Sequence, residues 1–170
     1  MRASFVFVLG LALGLTAARA SAQSGMGNPY GPSSGSKSQV ILSFKTMYGV
    51  NGPFLGATNP VRGVEGDAEA WFSKSIKGTL TNRGKLSISV KGLVLPDGTN
   101  DASEFRALVS CLAVTDTTVT ERNVVTDGFP ATPKGNAKIK AQLTIPNPSV
   151  APIVMILPGD EDVWFAMTGR

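Results

Sequence analysis

The sequence predicts an all-β protein, an antiparallel Greek-key sandwich or barrel of about 7–9 strands with at most one short helix. Three observations carry this. Apolar residues recur at every second position in the best-patterned stretches, the period of a strand with one face buried. Turn-forming clusters, "PDGTND", "DGFPATPKGN", "PNPS" and "LPGDED", separate those stretches. Beyond the N-terminal segment, nothing keeps a helical period for more than about two turns. Short strands divided by turn signals are the mark of antiparallel sandwiches and barrels.

The chain of 170 residues begins "MRASFVFVLGLALGLTAARASAQ". Arg2 supplies a positive start, residues 3–18 an apolar run, and Ala20 and Ala22 a small pair before Gln23. That is the layout of an export signal peptide over 1–22, with cleavage after Ala20 as the rival site. The apolar run falls short of the roughly 20 residues that a bilayer span needs. No membrane span is therefore expected after signal removal; a retained N-terminal anchor is the alternative. Residues 23–38, "QSGMGNPYGPSSGSKS", hold too little apolar surface to offset chain entropy and read as a flexible Gly/Ser/Pro-rich leader. Residues 39–170 are then a single β-sandwich domain, in an exported, periplasmic or extracellular protein.

Within that domain the first strand is expected at 40–47. The segment 67–74, "DAEAWFSK", is the one helix candidate, with Asp67 as its N-cap. Residues 75–91 form a hairpin around the three-residue turn Asn82-Arg83-Gly84, where glycine can take the left-handed position. This register sets Thr81 opposite Lys85 and Thr79 opposite Ser87. Leu86, Ile88 and Val90 then point inward. Further strands are expected at 105–114, 117–125, 151–157 and 162–167. "AKIKAQLTI" adds another, with Ala137, Ile139, Ala141, Leu143 and Ile145 on one face and Lys138, Lys140, Gln142 and Thr144 on the other.

Chemistry is narrowed by what is missing. The chain has no histidine and one cysteine, Cys111. No Ser-His-Asp triad or Cys–His pair can form, and neither can an imidazole or multi-thiolate metal site. No phosphate-binding glycine loop or dinucleotide fingerprint occurs. No cofactor and no metal are therefore expected. Cys111 alternates with Phe105, Ala107, Val109 and Ala113, so the thiol reads as a buried, inert member of the core; an intersubunit disulfide is the alternative. Arg106, Leu108, Ser110, Leu112 and Val114 on the opposite side are also mostly apolar, so this strand should be central and covered on both faces for part of its length.

Charge supplies the candidate site. Removing residues 1–22 takes away Arg2 and Arg19, leaving 14 basic and 12 acidic residues of the original 16 and 12, a net charge of +2. That excess is small for a nucleic-acid binder. It is nevertheless uneven: no acidic residue lies between Ala70 and Pro96, where Lys74, Lys77, Arg83, Lys85 and Lys91 fall. The outward hairpin positions Lys77, Thr79, Lys85, Ser87 and Lys91 form a candidate binding face for an anionic envelope polymer, lipid head groups or another protein. The alternative is a solvated strand face whose lysines discourage edge aggregation. The face lacks the interleaved aromatics that base stacking uses, so no nucleic-acid partner is expected.

Two acidic groupings compete with it. "PDGTND" spaces Asp97, Thr99 and Asp101 like the start of a calcium loop, but Ala102 and Leu108 stand where that loop needs glycine and glutamate. "VEGDAEAW" would put Glu65, Asp67 and Glu69 on one face of a strand. It resembles the E-x-D-x-E motif of laminarinase-type glycoside hydrolases, jelly rolls with one glutamate as nucleophile and another as acid/base. The resemblance covers five residues, and Gly66 and Ala68 replace the bulky apolar residues usual between the carboxylates.

The hairpin "IKGTLTNRGKLSISVKGLVL" resembles that of chordin-type (CHRD) and Cu,Zn superoxide dismutase-like Greek-key sandwiches over about twenty residues. The histidines that follow in those families are absent, so the resemblance implies the fold without the metal. The whole arrangement, from signal peptide and leader through "FRALVSC" and "FPATPKG" to "VWFAMTG", resembles uncharacterised exported bacterial proteins, implying a compartment only.

The expected function is that of an exported, non-catalytic binding module, which needs a flat polar or basic sheet face. A glycoside hydrolase needs Glu65, Asp67 and Glu69 to converge in a cleft with Trp71. An assembly protein needs an exposed strand edge, for which "APIVMIL" is the candidate.

Overall fold

The computed structural model describes residues 37–169. The expected signal peptide and all of the expected leader except Lys37 and Ser38 lie outside the described residues. The strands are β1 (Val40–Phe44), β2 (Tyr48–Gly49), β3 (Glu65–Gly66), β4 (Phe72–Thr81), β5 (Lys85–Val94), β6 (Glu104–Thr115), β7 (Thr118–Val125), β8 (Phe129–Pro130), β9 (Ala137–Gln142), β10 (Val150–Pro158), β11 (Val163–Trp164) and β12 (Ala166–Met167). Seven of them are five residues or longer; the other five are two-residue pairings. The fold is the all-β sandwich that the alternation predicts.

One sheet runs β1-β4-β5-β9 and a second β2-β12-β10-β6-β7, with β8 also pairing β6. All of these pairings are antiparallel; β3 and β11 form a separate parallel pair. After β5 the chain crosses to the second sheet, forms the β6–β7 hairpin, and returns to lay β9 beside β5, as in a Greek-key sandwich. The facing sides meet in one core. Ile76, Leu80, Leu86, Ile88, Val90 and Ile139 come from the first sheet; Phe105, Ala107, Val109, Cys111, Val154 and Ile156 come from the second, each at most 2 % exposed. Full burial of a large apolar side chain contributes about 1.5–3 kcal/mol, so these rows hold the two sheets together.

The β4–β5 hairpin has the expected register, with Thr79 opposite Ser87 and Leu80 opposite Leu86. Its turn closes through Gly84 N–H donating to the Thr81 carbonyl at 2.9 Å, and Gly84 sits at φ +76°. A side chain is disfavoured at that φ, and a Cβ on Gly84 would lie 1.9 Å from the Leu143 carbonyl oxygen. The strands run further than 75–91. In β5 the buried positions are Leu86, Ile88 and Val90, then Leu93. The alternation skips one step at Gly92, whose φ of +61° turns the strand over.

Three expectations are corrected. Residues 67–74 are not helical, and Asp67 caps nothing: its carboxylate accepts a hydrogen bond from Trp71 Nε1 at 2.5 Å. Trp71 N–H donates to the Val50 carbonyl and its ring stacks on Phe165 at 3.8 Å. Tertiary contacts therefore hold the segment extended, since eight residues cannot sustain a helix alone. In place of that helix, two single-turn 3-10 helices occur at Gly52–Phe54 and Gly56–Thr58. Next, 40–47 and 162–167 are not continuous strands. The first is strand only over Val40–Phe44, and the second breaks into β11, which pairs with β3, and β12, which pairs with β10 and β2. Finally, "APIVMIL" is not an edge over its second half, where Met155 and Ile156 lie between β12 and β6 and Val154, Met155, Ile156 and Leu157 are wholly buried.

β6 is central and covered on both sides over its first half. Leu108 and Ser110 are buried although they point away from the sandwich core. The segment 51–66 reaches across this second side: Asn123 Nδ2 donates to the Arg62 carbonyl at 3.0 Å, and Arg62 Nη2 to the Ala151 carbonyl at 3.2 Å. Among the described residues, the outer side of the first sheet has no such cover.

Candidate functional site

The bare side of the first sheet collects the outward residues of three strands, brought into rows by the pairing. Lys77, Ser89 and Lys138 form one row across β4, β5 and β9. Ser43, Thr79, Ser87 and Lys140 form the next, starting on β1. Ser75 faces Lys91, and Lys85 faces Gln142. All five predicted face residues, Lys77, Thr79, Lys85, Ser87 and Lys91, thus share one surface. Ser75, Ser87 and Ser89 are half-buried, while Ser43, Thr79 and the lysines stand exposed.

Hollows run along this surface. A trough of about 470 Å³ is bordered by Lys45, Lys77, Lys138 and Lys140, with Ser43, Thr79, Ser87 and Ser89 between them. A broader hollow of about 740 Å³ adjoins it through Thr79, Ser87 and Lys140 and includes Lys85 and Gln142. A third, of about 320 Å³, takes in Lys91 and Lys138 beside Asn136. No carboxylate lines any of the three, and no lysine of the face takes part in an ion pair among the described residues. Like charges on neighbouring positions of a sheet repel one another. The surface therefore carries uncompensated positive potential that an anion relieves.

Lys138, Lys140 and Lys45 were not among the predicted site residues. The first two were legible as outward positions of their own strand. What local pattern could not give is that β9 pairs with β5 across more than forty residues of chain.

The acidic alternative assembles only in part. Asp67 and Glu69 line a cleft of about 310 Å³ together with Asp101, Asp160 and Glu161, over the stacked Trp71 and Phe165. Glu65 does not line it; it sits exposed on β3, paired with Val163 of β11. Gly66 explains the separation. A Cβ there would lie 1.9 Å from the Phe54 carbonyl oxygen, so the backbone is pressed against the 3-10 turn, and the chain turns away after two residues of strand. The E-x-D-x-E spacing therefore does not place three carboxylates on one strand face.

Asp97 closes its own turn, accepting from Thr99 N–H at 2.9 Å and Thr99 Oγ1 at 2.7 Å. Those two bonds, the hydroxyl first, hold its carboxyl below the ordinary aspartate range. Among the described residues no group of three or more Asp, Glu, His or Cys side chains is placed to hold a metal ion. The cysteine lies in the core with a free thiol whose sulfur accepts a hydrogen bond from Ser149 Oγ.

No protein family matches the chain, and no curated protein or solved structure matches it.

Proposed function

We propose that this chain is an exported, non-catalytic binding module that holds an extended anionic polymer of the cell envelope against the outer side of its first sheet. The observation that carries the reading is the carboxylate-free surface of lysines and hydroxyls on β4, β5 and β9. Export rests on the sequence layout at 1–22. Binding without bond-making rests on the choice of side chains: the surface offers ammonium and hydroxyl donors and no general base.

Affinity electrophoresis of the chain from Gln23 onward, in gels containing an anionic or a neutral polysaccharide, tests this reading. Retardation is expected in the anionic gel alone. Lys77→Glu with Lys85→Glu should abolish it while leaving the melting temperature unchanged, because both side chains are exposed. With each protein's mobility referred to its own mobility in a polymer-free gel, no retardation of the parent in the anionic gel, or equal retardation of parent and variant, would refute the reading.

A second reading, hydrolysis of a glycosidic bond, draws on the cleft that Asp67 and Glu69 share with Trp71. A retaining pair needs carboxyl groups roughly 5–5.5 Å apart. Loss of glycan cleavage in Glu69→Gln would favour this reading over the first.

A further inference from the structure

Four of the lysines are not spread evenly. Lys45 and Lys77 stand on the β1/β4 side of the trough, and Lys138 and Lys140 stand on β9. Between the two pairs lies β5, whose outward residues in this trough are Ser87 and Ser89, with Lys85 and Lys91 further along the strand towards either end. Neighbouring strands are about 4.8 Å apart, so two strand spacings put Lys77 about 10 Å from the β9 pair, and Lys45, just past the end of β1, lies about one spacing further out. Residues two apart on one strand are separated by roughly 6.7 Å, which sets the spacing of Lys138 and Lys140 along β9.

Among the described residues, all the cations bordering the trough are lysines and no arginine lines it. That choice bears on the ligand. A guanidinium grips carboxylate or phosphate oxygens as a planar fork, whereas an ammonium acts as a point charge with donors in three directions and imposes no planar match. Two ammonium groups above a hydroxyl floor offer converging donors that suit a tetrahedral oxyanion. The trough exposes no aromatic ring on which a sugar or a base could stack, so recognition falls on charge spacing. It also exposes no apolar side chain that could enter a bilayer: Phe44 and Ile88 border it but are buried.

Resting on the reading of this surface as an anion-binding face, we infer that its ligand is a phosphate-bearing polymer, with one phosphate held by the Lys45/Lys77 pair and a second by the Lys138/Lys140 pair, on either side of the Ser87 and Ser89 hydroxyls. A carboxylate polymer or an anionic lipid surface is a poorer match.

Calorimetric titration of the chain from Gln23 onward compares three probes at equal charge: linear polyphosphate, polygalacturonate, and vesicles of phosphatidylcholine with phosphatidylglycerol. Polyphosphate should bind at least tenfold more tightly than either of the others. Its affinity should fall roughly 50-fold between 50 and 200 mM salt if four lysines each displace a counterion. Lys45→Gln with Lys77→Gln, and separately Lys138→Gln with Lys140→Gln, should each weaken binding at least tenfold; Lys134→Gln, off this face, should not. All these side chains are exposed, so the melting temperature should hold. Polygalacturonate binding as tightly, with the same losses in the variants, overturns the phosphate assignment and leaves the anion-binding face standing. Vesicle binding alone overturns the choice of a polymer. Binding of none of the probes at 50 mM salt overturns both the assignment and the face.

Discussion

The thiol of Cys111 measures how well the core excludes solvent. The residue is wholly buried, in the row of Phe105, Ala107 and Val109, with Ser149 over its sulfur. A thiol reagent can reach it by two routes. If only global unfolding exposes it, a stability of about 7 kcal/mol, inside the range usual for domains, slows labelling about 10⁵-fold. If lifting of the residues around Ser149 suffices, an opening that costs about 3 kcal/mol slows it only about 100-fold. Labelling with a chromogenic disulfide at pH 8, with and without guanidinium, separates the routes. Ser149→Gly should speed the reaction only if the local route operates. Cys111→Ala removes one buried sulfur and should destabilise by about 1 kcal/mol, while Cys111→Arg buries an unpaired charge and should prevent folding. Native labelling within threefold of the unfolded rate, or a dimer dissolved by reductant, would place the thiol on the outside and refute the register of β6.

Three further outcomes are expected. Gly84→Ala must accept φ +76° and a Cβ against the Leu143 carbonyl, so it should destabilise by at least about 2 kcal/mol in a urea melt. Ser110 Oγ is buried with no hydrogen-bond partner among the described residues, so Ser110→Ala should stabilise by about 1 kcal/mol in the same melt; destabilisation would mean that the hydroxyl is satisfied. The folded pKa of Asp97 is depressed, so its contribution to stability is complete above the unfolded value and is lost as pH falls through the folded one. A carboxyl titration by NMR should give a midpoint below that of Asp97 in a Thr99→Ala variant, where the hydroxyl's bond, the largest cause of the depression, is gone and the backbone N–H remains.

Elements whose partners are near in sequence were readable, and those defined by distant contacts were not. "KLSISV" and "AKIK" declare their faces because every second residue is apolar, and Gly84 declares the turn because few other residues accept its φ. The segment 67–74 misled because Asp67 and Trp71, four residues apart, satisfy a helical spacing while being held extended by Val50 and Phe165. The two-residue strands carry no period at all; β3 and β11 exist because the chain ends of other elements bring them together. The site divides the same way. Lys77, Thr79, Lys85, Ser87 and Lys91 belong to one hairpin and could be read together. Lys138 and Lys140 joined them only when the crossover through β6 and β7 was known.

The two sheets are also unequal in what evolution can do with them. Over the second, residues 51–66 lie across one side and the sandwich core lies on the other, so a substitution in the first half of β6 or the second half of β10 meets neighbours whichever way it points. On the first, positions 75, 77, 79, 85, 87, 89, 138 and 140 point away from every residue that keeps the sheets together. Selection can rewrite that lettering one position at a time while the scaffold stays as it is. Descendants of this chain that drift towards new ligands should diverge in a stripe with a period of two, confined to three strands, while the residues between the stripes stand still.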